Sequence, residues 1–173
     1  SGIGVMKGII DSAPDISKID VTPTGYSTTV LAANGEETAT LVGQGANRQY
    51  VTIDEIPLDL QHAFVAIEDE RFYDHNGIDL HGIGRAFISG LSKGRFSEGA
   101  STITQQLIKN NVLTSWTSET SFVEKLQRKI QEQYLALELE KQVNDKDWIL
   151  ENYMNSVNLG ANTLGVLAAS KKY

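Results

Sequence analysis

Apolar residues at helical spacing predict most of the secondary structure from residue 57 onward. In residues 57–67 they recur at i, i+3, i+4 and i+7, as expected for a helix that buries one face. These residues are Leu60, Ala63, Phe64 and Ile67. Proline at position 57 suits the first turn, where a missing amide hydrogen costs nothing. The sequence predicts further helices at 79–91, from 102 onward, and at 121–142, 145–155 and 163–173.

Side chains that can accept hydrogen bonds from free backbone amides mark the starts of these helices. They are Asp79, the capping-box pairs Thr102–Gln105 and Ser121–Glu124, and either Asn144 or Asp145. Such local signals fix where a helix begins, whatever it packs against.

The helix predicted at 121–142 carries apolar residues on more than one side. We expect one buried face, and leucines at 135 and 139 extend the apolar character round the helix. The expected face comprises Leu126, Ile130, Tyr134 and Leu137. Arg128 and Glu132 fall in line with those two leucines, so they form either a weak surface pair or a partly buried pair lining a cleft.

Residues 1–50 read as extended structure. Two stretches rich in β-branched residues, 26–31 and 37–42, flank Asn34-Gly35, which is a strong signal for a hairpin turn. The sequence therefore predicts a small N-terminal β-hairpin that packs on another part of the protein.

Composition narrows the classes of protein further. A chain of 173 residues with 40 % hydrophobic residues suits one domain with a real core. There is no cysteine and no apolar run long enough to cross a bilayer. Of the net charge of −7, residues 1–60 carry −5, from eight acids and three bases. Without a basic stripe, nucleic-acid binding is not expected.

Residues 68–79 concentrate the candidate chemistry. Twelve residues hold five carboxylates, one histidine and two aromatic side chains, directly after the first predicted helix. A solvated acidic loop is the simpler interpretation. A carboxylate that leaves the end of a buried helix, here Glu68, is also suited to proton transfer.

A second polar group lies on the helix that begins near residue 102. Thr102, Gln106 and Lys109 share one face at i, i+4 and i+7. A hydroxyl, an amide and an ammonium near a helix N-terminus can bind an anionic oxygen such as that of a phosphate. Polar helix faces are common, so the spacing alone is a weak signal.

The amino-acid sequences of four stretches are more specific than the spacing of their polar residues. Residues 68–79 read E-D-x-x-F-Y-x-H-x-G-x-D, and residues 99–110 read G-A-S-T-I-T-Q-Q-x-x-K-N. Residues 128–132 read R-K-x-x-E, and residues 146–155 read K-x-x-I-L-E-x-Y-M-N. In this order they resemble the motifs of the peptidoglycan glycosyltransferases of glycosyltransferase family 51, the transglycosylase domains of class A penicillin-binding proteins.

The resemblance implies a mainly α, lysozyme-like, two-lobed helical domain at 51–173, preceded by the β-hairpin segment at 1–50. It implies a membrane anchor before this segment and a fifth motif, R-R-x-x-x-V-L, after the last residue. We therefore expect a C-terminally truncated domain with little polymerase activity. The implied location is the outer face of the bacterial cytoplasmic membrane, and a transpeptidase domain in the parent chain is a possible partner.

By the same resemblance, the substrate is lipid II, which is joined to a growing glycan chain with inversion of configuration and release of polyprenyl pyrophosphate. Glu68 is the implied general base. Glu132 either positions the cations or holds a divalent ion, Mg or Mn, and the resemblance does not establish that the reaction requires this ion. No metal site is assigned. The implied substrate-binding residues are Asp69, Phe72, His75, Ser101, Thr102, Gln106, Lys109, Asn110 and Arg128. Within this set, Lys109 and Arg128 offset the charge of the pyrophosphate, whereas residues 69, 72 and 75 fix the loop that carries Glu68.

Three alternatives remain open from the sequence. A lytic muramidase could use the same fold and a similar carboxylic acid to cleave glycan. A metal hydrolase could use His75, His81 and Asp79, although no H-E-x-x-H motif is present. A catalytically silent module could bind lipid II without turning it over.

Overall fold

The computed structural model describes residues 2–18, 20–22, 28–31, 37–41, 49–93, 100–112, 121–159 and 165–172. Over these residues the protein is mainly α-helical, as predicted. The helices are α1 (Gly2–Asp11), α2 (Leu58–Glu68), α3 (Leu80–Lys93), α4 (Ile103–Asn111), α5 (Phe122–Val143), α6 (Lys146–Ser156) and α7 (Val166–Lys172). Short 3-10 turns lie at Ile16–Lys18 and Ile53–Glu55.

Helices α4, α5 and α6 pack together and supply most of the described core. Their largest fully buried side chains include Ile103, Leu107, Ile108, Leu135, Ile149, Leu150, Tyr153 and Met154. Burying apolar area of this kind is the main favourable term in folding. The three helices therefore form a rigid platform for the loops at their ends.

Local capping chemistry starts these helices as predicted. Both capping boxes are present, with Thr102 accepting from the amide of Gln105 and Ser121 accepting from the amide of Val123. Asp145 caps α6 by accepting from the Trp148 amide. The neighbouring Asn144 instead ends α5 in the left-handed conformation, with φ of 48°.

The predicted buried face of α2 is wrong, although the helix is present. Ile67 is 80 % exposed and Leu60 is 38 % exposed, whereas Gln61 and Val65 are buried. The Gln61 amide donates to the carbonyls of Ile53 and Ile56, at 3.0 and 2.8 Å. A glutamine satisfied in this way can lie inside, and apolar spacing gives no sign of it.

The predicted buried face of α5 is also wrong. Leu126 is 51 % exposed and Leu137 is 38 % exposed. The inward face instead carries Gln131, Glu132, Leu135, Ala136, Leu139 and Glu140. The line through residues 128, 132, 135 and 139 therefore turns toward the protein, with Glu132 buried and Arg128 half-buried.

Residues 2–11 form a helix, so the expectation of extended structure is wrong there. Helix α1 packs against α5. Ile9 is buried, and the Gln131 amide donates to the Ile9 carbonyl at 3.1 Å and to the Ser12 hydroxyl at 2.9 Å. Glycine and β-branched residues make this segment a weak helix former, and tertiary contacts override that preference.

Two short strands, β1 (Thr28–Leu31) and β2 (Glu37–Leu41), pair antiparallel in the N-terminal part. The predicted turn at Asn34-Gly35 lies outside the described residues. Within the described ranges, no helix has the length and apolar character needed to cross a membrane.

Helix α6 ties the segment before α2 to the core. Asn155 accepts from the Val51 amide at 2.9 Å and donates to the Val51 carbonyl at 2.7 Å. Glu151 accepts from the Ile53 amide at 2.7 Å and from the Tyr50 hydroxyl. Both side chains therefore brace this segment against α6. The domain boundary at residues 50 and 51 stays a prediction.

Candidate active site

The buried carboxylate of Asp69 organises the loop that follows α2. One of its oxygens, Oδ2, accepts from the Ile103 amide at 3.0 Å, at the N-terminus of α4. The His75 Nε2 atom lies 2.9 Å from the same carboxylate, and His75 Nδ1 accepts from the Gly77 amide at 3.1 Å. Because Nδ1 is an acceptor, the ring hydrogen belongs on Nε2, which donates to Asp69.

The loop also rests on the ammonium group of Lys146. This group lies 4.5 Å from the ring centroid of Phe72 and donates to the His75 carbonyl at 2.7 Å. It donates to Glu140 at 2.7 Å, and Glu140 also accepts from the Thr104 hydroxyl at 2.6 Å. The loop, α4, α5 and α6 are thus joined through one largely buried ion pair.

The end of the loop is held by Arg71 and Asp79, whose Nη2 and Oδ2 atoms lie 2.5 Å apart. This hydrogen-bonded guanidinium lowers the pKa of Asp79 to about 2, and the Gly82 amide adds to the effect. Gly77 adopts a φ of 98°, and a Cβ there would lie 2.6 Å from the Ala136 carbonyl oxygen. Only glycine allows the loop to pass α5 so closely.

Glu68, the last residue of α2, is exposed, in contrast to the buried Asp69 that follows it. Its Oε2 atom accepts from Gln106 Nε2 at 3.1 Å. In turn, Gln106 Oε1 accepts from the Tyr153 hydroxyl at 3.1 Å. A chain of two hydrogen bonds therefore links Glu68 to the core helix α6.

Glu68 borders two cavities. The larger, of about 450 Å³, is lined by Ile67, Glu68, Ile83, Ala100, Ser101, Gln106, Lys109, Asn110, Arg128, Lys129, Glu132 and Gln133. The smaller, of about 160 Å³, lies on the side of Glu70, Arg71 and Asp79 and shares residues 67, 68, 100 and 101 with the larger. The carboxylate can therefore act on a group that enters from either side.

Three basic side chains give the larger cavity its positive character. Lys109 and Arg128 approach from α4 and α5, and Lys129 donates to Ser101 at 2.7 Å and to Glu132 at 2.5 Å. Glu132 is buried, with 3 % of its surface exposed. Such a set of donors can bind an anionic group with several oxygens.

Comparison with known proteins places this arrangement in a family. Residues 34–173 match the family model described as Transglycosylase. The chain belongs to the transglycosylase family. It is 40 % identical over its whole length to penicillin-binding protein 1A of Clostridium novyi (strain NT), of which it covers 20 %. It is 38 % identical to penicillin-binding protein 1A/1B of Bacillus subtilis (strain 168), over 95 % of this chain and 17 % of that protein. The chain thus spans about a fifth of the length of these relatives.

Most of the site residues predicted for this transglycosylase domain come together in the structure. The larger cavity gathers Glu68, Ser101, Gln106, Lys109, Asn110, Arg128 and Glu132. Their individual roles stay predictions, since geometry alone assigns no role.

Phe72 lines neither of these two cavities, and its place among the substrate-binding residues stays a prediction. It is fully buried, with 0 % exposure, because its ring packs in the core under the Lys146 ammonium. His75 also lines neither cavity, and both its ring nitrogens are engaged within the loop. Both residues, with Asp69, are placed to hold the loop beside Glu68.

Two groups at the N-terminus of α4, where the sequence predicts an anion site, already have partners within the protein. The carboxylate of Asp69 takes the Ile103 amide there. The Thr102 hydroxyl accepts from the Gln105 amide at 3.1 Å and donates to the Gly77 carbonyl at 2.6 Å. Thr102 is 1 % exposed and its hydroxyl is engaged within the fold, so a phosphate site on the face shared by residues 102, 106 and 109 stays a prediction.

Sequence reasoning overlooked Lys129 and Tyr153 of this transglycosylase as site residues. Lys129 lies inside the R-K-x-x-E motif, and its pairing with the buried Glu132 could have been anticipated from the i, i+3 spacing. The ring of Tyr153 is buried, but its hydroxyl reaches Gln106 across 47 residues of sequence. No local pattern signals such a contact.

A divalent ion held by this chain alone does not fit the described residues. No group of three or more His, Asp or Glu side chains in the described ranges is placed to hold a metal. Glu132 is paired with Lys129, Asp79 with Arg71 and His75 with Asp69. These pairings also argue against the metal hydrolase, and no step of the chemistry below passes through a metal.

Proposed function

We propose that this transglycosylase domain is a peptidoglycan glycosyltransferase, which polymerises lipid II into β-1,4 glycan strands and releases polyprenyl pyrophosphate. One observation carries the proposal: the carboxylate of Glu68 borders a cavity that also presents three cationic side chains. A base beside a site for a polyanion suits a sugar transfer in which a pyrophosphate departs.

Glu68 accepts the proton of the acceptor sugar's 4-hydroxyl. That oxygen attacks the anomeric carbon of the growing chain, the α-linked pyrophosphate leaves with the bonding electrons, and a β-1,4 bond forms. Configuration inverts because attack and departure occur on opposite faces of the sugar. The Gln106 amide holds Oε2 of the carboxylate, and we assign the proton to the other oxygen, Oε1.

Lys109 and Arg128 offset the negative charge that develops on the departing pyrophosphate. Preorganised cations of this kind commonly supply the largest single part of catalysis. Lys129 is positioned between Ser101 and Glu132, so Glu132 acts by holding this cation in the cavity. The carboxylate of the buried Glu132 also offsets part of the positive charge of the three cations that line the cavity.

The proposed substrate sets the location and the partners. The polyprenyl tail of lipid II stays in the bilayer, so we place the reaction at the outer face of the bacterial cytoplasmic membrane. The growing glycan chain is the second substrate. A transpeptidase domain in the same natural protein is a proposed partner, motivated by relatives several times longer than this chain.

Labelled lipid II in detergent tests the proposal in the natural full-length protein. We expect polyprenyl pyrophosphate and polymer to form together, with no clearing of purified cell walls in a parallel reaction. Clearing of cell walls without pyrophosphate release would mean a lytic muramidase. Binding of lipid II with neither product would mean a silent binding module.

A further inference from the structure

Tyr153 is an unusual core residue because its hydroxyl points toward the proposed base. Its side chain is 1 % exposed, and the ring packs edge-on against Phe64, with 6.2 Å between ring centroids. The hydroxyl donates to Gln106 Oε1 at 3.1 Å. A side chain packed at this density has little freedom to move.

The direction of the hydrogen-bond chain follows from its two ends. Burial raises the pKa of Tyr153, and the negative charge of Glu68 raises it further, so the phenol keeps its proton and donates it. At the other end, the Glu68 carboxylate accepts from Gln106 Nε2. A reversed amide would set the Gln106 oxygen against the carboxylate, so the Glu68 end selects the orientation, and the Tyr153 hydroxyl then donates to Gln106 Oε1.

We infer that Tyr153 is a positioning residue for the sugar transfer, which through Gln106 fixes the carboxylate of Glu68 beside the two cavities. This inference rests on the proposed function for its catalytic meaning. Its geometric content, an orienting chain from α6 to the end of α2, stands on the contacts alone.

The orienting chain matters because the Glu68 carboxylate has little packing of its own to hold it. Glu68 is exposed at the end of α2, and the preceding Ile67 is 80 % exposed, so local packing does not confine the carboxylate. Gln106 is only half-buried and could otherwise exchange its partners for water. Through Gln106, Tyr153 holds the Glu68 carboxylate in a fixed position relative to the core. A general base must be placed accurately against its substrate.

Tyr153→Phe tests the inference because it removes one hydroxyl and leaves the ring. In the natural full-length protein, we expect kcat for lipid II polymerisation to fall roughly three- to tenfold, the typical worth of one hydrogen bond. KM should stay within about twofold of its original value, since the group does not contact substrate. Tyr134→Phe is the matched control, because Tyr134 is a half-buried tyrosine of α5 that lines neither cavity.

A double-mutant cycle separates positioning from a general effect on the fold. In a Gln106→Ala background the chain is already broken, so Tyr153→Phe should cause no further loss of kcat. Losses that multiply in the double variant would overturn the inference. An unchanged kcat in the single variant would overturn it equally.

A second measurement does not depend on activity. In the 173-residue chain, the side-chain amide NMR signals of Gln106 should shift and exchange faster with water in Tyr153→Phe, but not in Tyr134→Phe. If the wild-type protein makes no polymer and these signals still respond, the proposed function fails while the orienting chain stands. Unchanged Gln106 signals would refute the chain itself.

Discussion

At the scale of single residues, two of the three cations of the larger cavity, Lys109 and Arg128, reach it from different helices. Lys109 is exposed on the last turn of α4, whereas Arg128 is half-buried on α5. A ligand held between them meets positive charge on two sides. This geometry suits a pyrophosphate better than a neutral sugar, which offers no charge to either side chain.

Replacing either cation should therefore affect one class of ligand selectively. We expect Lys109→Ala and Arg128→Ala each to weaken the binding of a polyprenyl pyrophosphate roughly tenfold, the scale of one hydrogen bond to a charged group. Binding of a lipid-free disaccharide should change much less. Calorimetry with both ligands measures the difference, and Lys125→Ala is the control, since Lys125 is exposed and lines neither cavity. Equal losses for both ligands would assign the two residues to the fold.

At the scale of the elements, one ion pair joins three helices to the loop beside Glu68. Glu140 of α5 is 5 % exposed at its side chain and Lys146 of α6 is 21 % exposed. Removing one partner of such a pair leaves a charge buried without compensation, and this costs more than removing both.

Lys146→Met should therefore lower the free energy of unfolding by about 3 kcal/mol, the usual scale for breaking a buried ion pair. Adding Glu140→Gln should recover much of that loss, because the buried group is then neutral and can still accept from the Thr104 hydroxyl. Urea denaturation of both variants measures this. The control is Lys141→Met, which should have little effect because Lys141 is exposed in the last turn of α5. A double variant less stable than Lys146→Met would contradict the account.

Sequence reasoning succeeded for elements whose signal is local. The capping boxes at Thr102 and Ser121 were predicted correctly because each satisfies its own helix end within three residues. The buried faces of α2 and α5 were predicted wrongly because Gln61 and Gln131 are polar residues satisfied inside. Their partners lie on other segments, and the resulting burial leaves no apolar period to detect. Helix α1 was missed for the same reason, since its contact with α5 is tertiary.

The candidate site was predictable to the extent that its residues lie within recognisable motifs. Glu68, Lys109 and Glu132 were selected from the amino-acid sequences of three motifs, and the structure brings them to one cavity. The roles within each motif were less predictable. Phe72 lies in the core and Tyr153 reaches the site through its hydroxyl, and the sequence does not reveal which way a side chain points.

At the scale of the whole molecule, the site lies where a rigid platform meets an exposed helix end. The loop after α2 is fixed by the bond from the Ile103 amide to Asp69 and by Lys146, and Tyr153 links α6 through Gln106 to Glu68. The larger cavity then opens beside Glu68 and between α4 and α5. The central claim is that the Glu68 carboxylate acts on the proton of a sugar hydroxyl, and the remaining contacts serve to hold that group in place.

The direct test of this claim is Glu68→Gln, measured by polymerisation of labelled lipid II and by lipid II binding in the natural full-length protein. The amide keeps the size of the side chain but cannot accept the proton. We expect polymerisation to fall at least about a hundredfold, the scale of a general base, while binding of lipid II is retained. Glu138→Gln is the control, because Glu138 lies on α5 and lines neither cavity. If Glu68→Gln kept more than about a hundredth of the activity, Glu68 would not be the base.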